Sequence, residues 1–431
     1  MKYQCDESLS LIYRLNLMTD KVLLNIPFIR NEISKNKLKH WWIANQIDVD
    51  RKTISRWLQG KTTLVLYENA LNLSIVLKCT IKEVTLKDNT QLFATIEDQL
   101  EAAHSIINSE FINKLGPIGE WNVIENLIKA TIIPELPLFV LGELYNKMSI
   151  ACWRQSKLNE SKIYAQKAKD ISIKINDKTL KLNAMQSLAN IASWNGNNSE
   201  AISIYKNCLE EKEYLNNNSI GSLLSNLGSV LIEIGRTEEG ITYLLDSNKI
   251  FKSSGSKMQL SISHCQLALA YFDKKDYLTS KIEIETSIEL AIDTEYKRGI
   301  HFGSLLLSEL NIYLKNDKIN SITLLESALK GFAELNIEEG QIYEIAGRIC
   351  RLLQNYENSK KYLSAGLIIA KKYPLELAQL NLEFGLLTQE LNGDNQLIKK
   401  YFLSSIRYFE ESDAIVKATF VRDILKNDNI F

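Results

Sequence analysis

The pattern of apolar and small residues repeats along the chain from about residue 138 onward. A leucine followed by a small residue recurs at Leu188–Ala189, Leu227–Gly228 and Leu267–Ala268, at spacings of 39 and 40 residues. Later positions stay in phase: Ala192, Leu231 and Tyr271, then Gly196, Gly235 and Lys275 at a turn, then Tyr205, Leu244 and Ile284. Because residues three and four apart share one face of a helix, the pattern predicts repeated helix pairs.

The order of large and small residues predicts how these pairs stack. A small residue lets the first helix approach its partner closely, and a large residue of the second helix fills the groove beside it. This is the pattern of tetratricopeptide repeats, although their usual period is about 34 residues. Weaker units flank the clear ones, which predicts about seven pairs over residues 138–412. We expect an all-α fold, with this right-handed α-solenoid closed by a capping helix at residues 413–431.

A pattern of short helices precedes the repeats. Leu38, one of Trp41 and Trp42, and Ala44 have helical spacing and are expected to face inward. Asp50 suits the N-cap of a second helix, and Gly60 suits its end. Such closely joined helices predict a helix-turn-helix, which we place in a domain at residues 25–85, after an N-terminal extension at residues 1–24.

The second of these helices carries side chains that suit a DNA major groove. Its exposed N-terminal part is the part that reaches base edges in helix-turn-helix proteins. Thr53-Ile54-Ser55-Arg56 with Gly60 resembles the motif of Xre/Cro-type repressors, but His40 stands where those domains usually carry a phosphate-contacting Gln. The candidate DNA-binding residues are His40, Arg51, Lys52, Thr53, Ser55, Arg56 and Lys61.

Charge is distributed unevenly along the chain. Residues 26–62 hold eight Lys and Arg against three Asp and Glu, a net charge of +5 in a chain whose total is −1. The rest of the chain therefore carries −6. A basic segment of this kind favours phosphate binding, and the alternative is a solvated basic face on a structural domain.

Residues 86–137 are expected to form a helical connector between the two parts. Thr90 to Leu115 has one apolar side and predicts a long helix, which Gly116-Pro117 ends. A second helix is predicted from Glu120 to Ile133, before Pro134 and Pro137. A stiff connector of this kind could transmit movement from the body to the head.

Several classes of function lack their sequence signals. The six cysteines are scattered without a Cys-x-x-Cys pair, and the four histidines have no zinc-ligand spacing, so we expect reduced thiols and no metal. No nucleophile elbow, phosphate loop or dinucleotide fingerprint occurs in a suitable context, so we expect neither catalysis nor a cofactor. Without an apolar run of about 20 residues or a signal peptide, we expect a cytoplasmic protein that contacts no membrane.

An Xre-type head followed by long-period tetratricopeptide repeats resembles the RRNPP group of peptide receptors, which includes the Rgg, PlcR, NprR and phage AimR regulators and the related Rap proteins. The resemblance covers nearly the whole chain and rests on architecture. It implies a cytoplasmic quorum-sensing transcriptional regulator. Such a protein is a homodimer whose concave solenoid surface binds a short signalling peptide and thereby changes the binding of its heads to a double-stranded DNA operator.

Amide side chains are the candidate peptide ligands on the concave face. An amide both donates and accepts hydrogen bonds, so it can hold the backbone of an extended peptide of any sequence. We regard Asn226 as the leading candidate, and Trp194 and Phe272 as walls of side-chain pockets. The candidate peptide-binding residues are Asn146, Asn183, Asn190, Trp194, Asn226, Gln266 and Phe272.

Two other interpretations of the solenoid stay open at this stage. The amides are also consistent with ordinary solvated helix positions. The solenoid could instead dock a protein partner, as a scaffold or anti-repressor target, or modulate a phosphorelay protein as Rap proteins do. A short secreted-peptide gene next to this one would favour peptide sensing.

Overall fold

The structure is a computed structural model that describes residues 21–62, 64–85, 96–108, 112, 115–314, 318–371 and 373–427. The chain divides into two compact units, a head and a body, between Gln99 and Leu100. The predicted N-terminal extension up to residue 20 and the start of the predicted connector, residues 86–95, lie outside the described residues. None of the described helices combines the length and the apolar character needed to span a membrane.

The head is built from short helices and one small sheet. Its elements are β1 (Lys21–Leu23), α1 (Ile26–Lys35), α2 (His40–Gln46), α3 (Arg51–Leu58), β2 (Leu64–Leu66), α4 (Tyr67–Leu77) and α5 (Ile81–Val84). The strands pair antiparallel, with Lys21 opposite Leu66 and Leu23 opposite Leu64. The all-α prediction is confirmed with this addition, because strands of three residues are too short to show an alternating pattern. The pairing brings residues 21–23, which we had placed in the N-terminal extension, into the head.

The core of the head corrects one expectation about α2. Ile43 and Ala44 are buried, whereas Trp41 is 54% exposed and Trp42 is 37% exposed. The prediction that a tryptophan faces inward is therefore wrong. The helix buries the β-branched Ile43 beside Ile54 of α3 and leaves both large rings outside.

The body consists of two preceding helices, seven helix pairs and a final helix within the described residues. The preceding helices are α6 (Ile96–Asn108), which begins just before the boundary, and α7 (Trp121–Thr131). The pairs are α8 (Leu138–Trp153) with α9 (Leu158–Lys174), α10 (Lys178–Trp194) with α11 (Asn198–Glu210), α12 (Asn217–Glu233) with α13 (Thr237–Ser254), α14 (Lys257–Asp273) with α15 (Tyr277–Asp293), α16 (Lys297–Tyr313) with α17 (Lys318–Glu334), α18 (Gly340–Leu352) with α19 (Tyr356–Ile369), and α20 (Pro374–Glu390) with α21 (Asn395–Glu411). The final helix is α22 (Ile415–Asn427), and a short 3₁₀ turn (Lys212–Tyr214) follows α11.

The helices predicted as a connector pack as part of the body. Ala103 of α6 and Ile124 and Ile128 of α7 share one apolar cluster with Val140 and Leu144 of α8. These five residues are almost fully buried. From Leu100 onward, the predicted connector therefore extends the core of the repeats.

The repeat positions read from the sequence lie where close helix packing needs them. Leu227, Leu267, Leu244 and Ile284 are fully buried. A Cβ atom added to Gly228 would lie 2.8 Å from the backbone oxygen of Gly240, so α12 and α13 meet through their backbones. The turn positions Gly196, Gly235 and Lys275 all have positive φ, of 84°, 91° and 62° respectively.

The body also closes on itself, which the repeat pattern does not predict. Apolar residues of α10 to α12 form one cluster with apolar residues of α20 to α22, among them Leu227, Leu231, Phe409 and Val421. Asn198 Nδ2 donates to the backbone oxygen of Ser412 at 2.7 Å, across 214 residues of chain. We call the whole contact between α10–α12 and α20–α22, including this hydrogen bond, the seam. The final helix packs on the last pair and also contacts the third pair, where Val416 lies beside Gly235.

A glycine substitution tests the seam. Gly235 has φ +91°, and an added Cβ would lie 2.8 Å from Cβ of Val416, whereas at Gly255, with φ +71°, it would meet no atom within 4 Å. Both Gly→Ala changes impose the left-handed strain of about 1–2 kcal/mol, but only Gly235→Ala adds a clash. We expect Gly235→Ala to lower the free energy of unfolding more than Gly255→Ala in urea denaturation. In the double variant Gly235→Ala/Val416→Ala, the loss of unfolding free energy should be closer to that of Gly255→Ala, because the clash is removed. Equal losses in Gly235→Ala and Gly255→Ala would contradict the contact at the seam.

Candidate functional site

The candidate DNA-binding surface of the head is built on α2, α3 and the turn between them. The turn spans residues 47–50 and includes Asp48 in the left-handed region, with φ 54°. Asp50 caps α3 as predicted, because its Oδ1 accepts from the backbone N–H of Lys52 at 2.7 Å. Gly60, with φ 72°, follows the end of α3. These local signals explain why two short helices form at this place.

The predicted DNA-binding side chains divide into two groups by exposure. Thr53 and Ser55 are half-buried, and Ser55 Oγ accepts from Gln59 Nε2 at 3.4 Å. The other five are exposed and include the cations at the start of α3: His40, Arg51, Lys52, Arg56 and Lys61. Exposed cations beside a helix N-terminus are suited to phosphate oxygens and base edges.

The sequence interpretation missed one side chain on this surface. Trp41, expected to share the inward position with Trp42, is 54% exposed beside His40 at the start of α2. Its indole can offer an N–H donor and a flat apolar face. Helical spacing from Leu38 allowed either Trp41 or Trp42 on the inward side, and only the packing shows that Ile43 and Ala44 are buried instead.

Arg30 has a different role from the other basic residues of the head. Its Nε donates to the backbone oxygen of Leu58, the last residue of α3, at 2.6 Å, and a second guanidinium nitrogen donates to the same oxygen. The final carbonyl groups of a helix lack partners within the helix, and a cation there also suits the helix dipole. Arg30 therefore holds the end of α3 from α1, although the charge count had included it among candidate phosphate partners.

The second candidate site is a cavity inside the body, which we call the lumen. Its volume is about 300 Å³. It is enclosed by the first helices of the second to seventh pairs and by α22. Its lining residues are Ser193, Trp194, Ile232, Glu233, Ser261, Ile262, Cys265, Gln266, Leu269, Phe272, Asp273, Ser287, Tyr296, Arg298, Gly299, Phe302, Gln341, Glu344, Ile345, Arg348, Tyr373, Leu375, Glu376, Gln379 and Lys417.

Three of the predicted peptide-binding residues line the lumen. They are Trp194, Gln266 and Phe272. Trp194 packs edge-to-face against Tyr373, with ring centroids 5.3 Å apart, and Phe272 packs against Tyr313 at 5.2 Å. Neighbouring rings therefore hold both aromatic walls in place.

None of the predicted asparagines lines the lumen, and three of them, Asn146, Asn190 and Asn226, form hydrogen bonds between neighbouring repeats. Asn226 Nδ2 donates to Asn190 Oδ1 at 2.9 Å, and Asn190 Oδ1 also accepts from the hydroxyl of Tyr205. Asn146 is buried, and its Oδ1 accepts from Ser187 Oγ at 3.3 Å. The half-buried Asn183 offers its backbone oxygen to Ser187 Oγ, also at 3.3 Å. Amides at equivalent positions meet because successive first helices stack nearly in register.

Charged residues of the later repeats, which the sequence analysis missed, form a network beside the lumen, and two of them, Arg348 and Glu344, line it. Arg348 binds Glu309 through two hydrogen bonds, of 2.6 and 2.9 Å, and also contacts Glu344. Arg351 donates to Glu383 at 2.9 Å and contacts Glu390. These pairs join three successive pairs of helices. Apart from Glu344, which lies four residues from Arg348, the partners lie 32 or 39 residues apart in the chain, so no local motif marks them.

Several lumen carboxyl groups have raised pKa values. Burial raises the pKa of Glu233 to about 7, partly offset by Lys417. Burial and then the charge of Glu339 raise the pKa of Glu376 to about 7, while the amides of Gln341 and Gly340 act in the opposite direction. Burial also raises the pKa of Glu344 to about 8, against the effect of Arg348. The lumen therefore combines apolar walls with carboxyl groups whose charged form is disfavoured by burial.

Comparison with known structures shows two solved proteins with a similar fold. A Rap protein complexed with competence and sporulation factor has 15% identity and a TM-score of 0.55, and the match covers 77% of this chain and 98% of that one. NprR in complex with its cognate peptide NprX has 13% identity and a TM-score of 0.53, with the same coverage. No family model and no curated protein sequence matches the chain.

The chain has the fold of RRNPP-type proteins. At these identities the likeness is one of fold. It agrees with the RRNPP resemblance inferred from the head and the repeats, and both solved structures contain a bound signalling factor or peptide.

The role of Arg30 can be tested by hydrogen–deuterium exchange. Arg30→Met removes both hydrogen bonds to Leu58, and a hydrogen bond to a charged group contributes about 1.5–3 kcal/mol. We expect the amides of residues 54–60 to exchange at least about tenfold faster, because local opening becomes easier. The control is Lys35→Met, since Lys35 is 68% exposed and pairs with Glu32 at 3.5 Å. Unchanged exchange in Arg30→Met would mean that Arg30 does not hold α3.

Proposed function

We propose that this protein is a peptide-responsive transcriptional regulator: a short signalling peptide binds in the lumen, and the head binds double-stranded DNA. The observation that carries the proposal is a lumen with apolar, amide and charged walls inside a body with the RRNPP-type fold. The exposed basic start of α3 supports the second part. Both activities are binding, so the proposal assigns no catalysis to the protein.

The chemistry of the lumen is suited to a peptide. A volume of about 300 Å³ is at the lower end of the range of roughly 300–1,000 Å³ for ligand sites. Its walls combine aromatic rings, amides and charges of both signs, so they can bind apolar, polar and charged parts of a ligand. Asn226 uses its N–H group to reach Asn190, which leaves its oxygen as an acceptor toward the concave face.

The surface of α3 supports DNA binding. Arg51 and Lys52 are exposed on its first turn, and Arg56 is exposed one turn later. In helix-turn-helix proteins this part of the second helix contacts base edges, while flanking cations contact phosphate. The net charge of +5 over residues 26–62 favours approach to a polyanion.

The two activities are coupled in this proposal. Peptide occupancy of the lumen changes the affinity of the head for its operator, as the RRNPP resemblance implies for a cytoplasmic quorum-sensing regulator. The same resemblance implies a homodimer that presents two heads to DNA. Native mass spectrometry of the purified protein reports both subunit number and any co-purifying peptide.

The DNA-binding assignment predicts unequal effects of three substitutions. Arg51→Ala or Lys52→Ala should weaken operator binding by about 1–3 kcal/mol and change sequence preference if the side chain reads a base. Lys61→Ala, which removes a cation beyond the end of α3, should weaken binding to all sequences alike. Competition binding with a random duplex library measures both effects. Equal and small effects of all three changes would contradict the recognition-helix assignment.

The peptide-binding assignment predicts the loss of a thermal shift. Gln266→Ala should abolish the rise in melting temperature produced by the peptide recovered from the native complex, because it removes a polar group that lines the lumen. We propose the same effect for Asn226→Ala, because its amide, outside the lumen lining, would contact a part of the peptide that extends beyond the lumen. Peptide-free DNA affinity should stay unchanged. The control is Gln166→Ala, an exposed amide on α9 that contacts Asp170. A full thermal shift in Asn226→Ala would remove that residue from the site.

A further inference from the structure

The lumen wall contains a place where the two ends of the body meet at the seam. Trp194, Glu233 and Asp273 are the last residues of α10, α12 and α14. They line the lumen together with Tyr373 and Glu376 at the start of α20 and Lys417 of α22. More than a hundred residues of chain separate Asp273 from Glu376, so only closure of the body assembles this group. We call these six residues the seam subsite.

Negative charge exceeds positive charge in the seam subsite. It contains three carboxyl groups and one amine. Lys417 Nζ lies 3.7 Å from Asp273 Oδ2. Glu233 has no ion-pair partner within the described part of the chain, although Lys417 acts on it from a distance. The nearest guanidinium on this wall, that of Arg298, is already paired with Glu339 at 2.6 Å.

An unpartnered buried atom points to a missing positive group. Oε2 of Glu376 is buried. The backbone amides of Gly340 and Gln341 lie close enough to lower the pKa of this carboxyl group, but no hydrogen bond of good geometry reaches Oε2 among the described residues. Buried polar atoms are nearly always hydrogen-bonded, so an orphaned carboxylate oxygen in a ligand cavity calls for a donor. The C-terminal ends of α10, α12 and α14 add the negative ends of three helix dipoles.

The aromatic residues of the subsite favour the same kind of group. Trp194 lies between Tyr373, at 5.3 Å, and Trp153, at 6.1 Å, with the rings nearly perpendicular in each pair. This cluster already attracts one cation, because the guanidinium of Arg154 lies 4.7 Å from the ring centroid of Trp153. Aromatic faces beside carboxylates bind guanidinium and ammonium groups.

We propose that the seam subsite binds a cationic group of the lumen ligand, a guanidinium or an ammonium, against Glu233 and Glu376. This inference rests on the proposed function, since it names the chemistry of the peptide that the lumen takes. It also makes the cation a bridge between α12 and α20, so the ligand stabilises the closed form of the body. The cation is supplied by a basic side chain or by the amino terminus of the peptide.

The proposal has a consequence for pH dependence. The groups that face Glu233 are Lys417 from α22, Asp273 from α14, Glu376 from α20 and Tyr205 from α11. Without ligand, the pKa of Glu233 is about 7, so the carboxyl group is largely protonated at lower pH. A bound cation lowers this pKa, because it favours the charged form. Ligand affinity is therefore retained above pH 7 and lost as the pH falls below it, by at most about tenfold per pH unit for one carboxyl group.

Affinity selection with the full-length protein tests the proposal. The probe is a library of short random peptides, offered once with free amino termini and once acetylated, and bound peptides are identified by mass spectrometry. If a basic side chain supplies the cation, we expect about tenfold enrichment of Lys or Arg over their neutral analogues at one position, in the free and the acetylated library alike. If the amino terminus supplies it, we expect acetylation to abolish binding. Bound peptides without either bias would overturn the inference and leave the proposed function standing. Retention of no peptide would overturn both.

Three variants locate the charge preference. Glu233→Gln should remove the enrichment and flatten the pH dependence, and Glu376→Gln should reduce the enrichment. Lys417→Met removes the competing amine and should increase the enrichment of cationic peptides. The series therefore contains variants that lower this enrichment and one that raises it. Glu334→Gln is the control, because its side chain is 67% exposed on α17 and it is not among the lumen residues. An undiminished cation preference in Glu233→Gln would exclude that residue from the subsite.

Discussion

The apolar contact that closes the body is the interaction on which the rest of the structure depends. Residues such as Leu227 and Leu231 of α12 share one buried cluster with Phe409 of α21 and Val421 of α22. Burial of this kind stabilises by roughly 25 cal/mol per Å² of apolar surface, and it carries no direction of its own. The hydrogen bond from Asn198 to Ser412 and the narrow turn at Gly235 give the contact its register. The closed body then encloses the lumen.

Closure also decides the electrostatics of the lumen. In an open solenoid, Glu233 and Glu376 would face water on separate repeats and would titrate as ordinary carboxyl groups. In the closed body both are half-buried, and this burial, with the charge of Glu339 beside Glu376, raises their pKa values to about 7. In the first helices of the later repeats, the charges of buried glutamates are compensated, because Arg348 and Arg351 form ion pairs with glutamates of the neighbouring first helices. A solenoid that folds back on itself thus creates both an enclosed space and a demand for compensating charge.

The success of the sequence interpretation varied with the range of the interactions involved. Gly228 and the turn glycines were placed correctly, because close approach of two helices and positive φ are demands that a single residue type meets. Asp50 and Gly60 mark the limits of α3 for the same reason. The inward tryptophan was wrong, because two side chains of one short helix competed for one position. The small sheet was missed, because β1 and β2 are too short to show a period.

By itself, the sequence determined the helix pairs, their period of 39 to 40 residues and the basic start of α3, because each depends on neighbours within a helix or within one repeat. Only the tertiary structure decided which of those residues face a ligand. In the folded chain, Asn226 donates a hydrogen bond to Asn190, and Arg30 donates to the end of α3. Trp194 and Glu233 line the lumen together with Tyr373 and Glu376. The physical reason is that a repeat pattern encodes the contact of each pair with the next, whereas closure joins pairs that are distant in the chain and leaves no periodic trace.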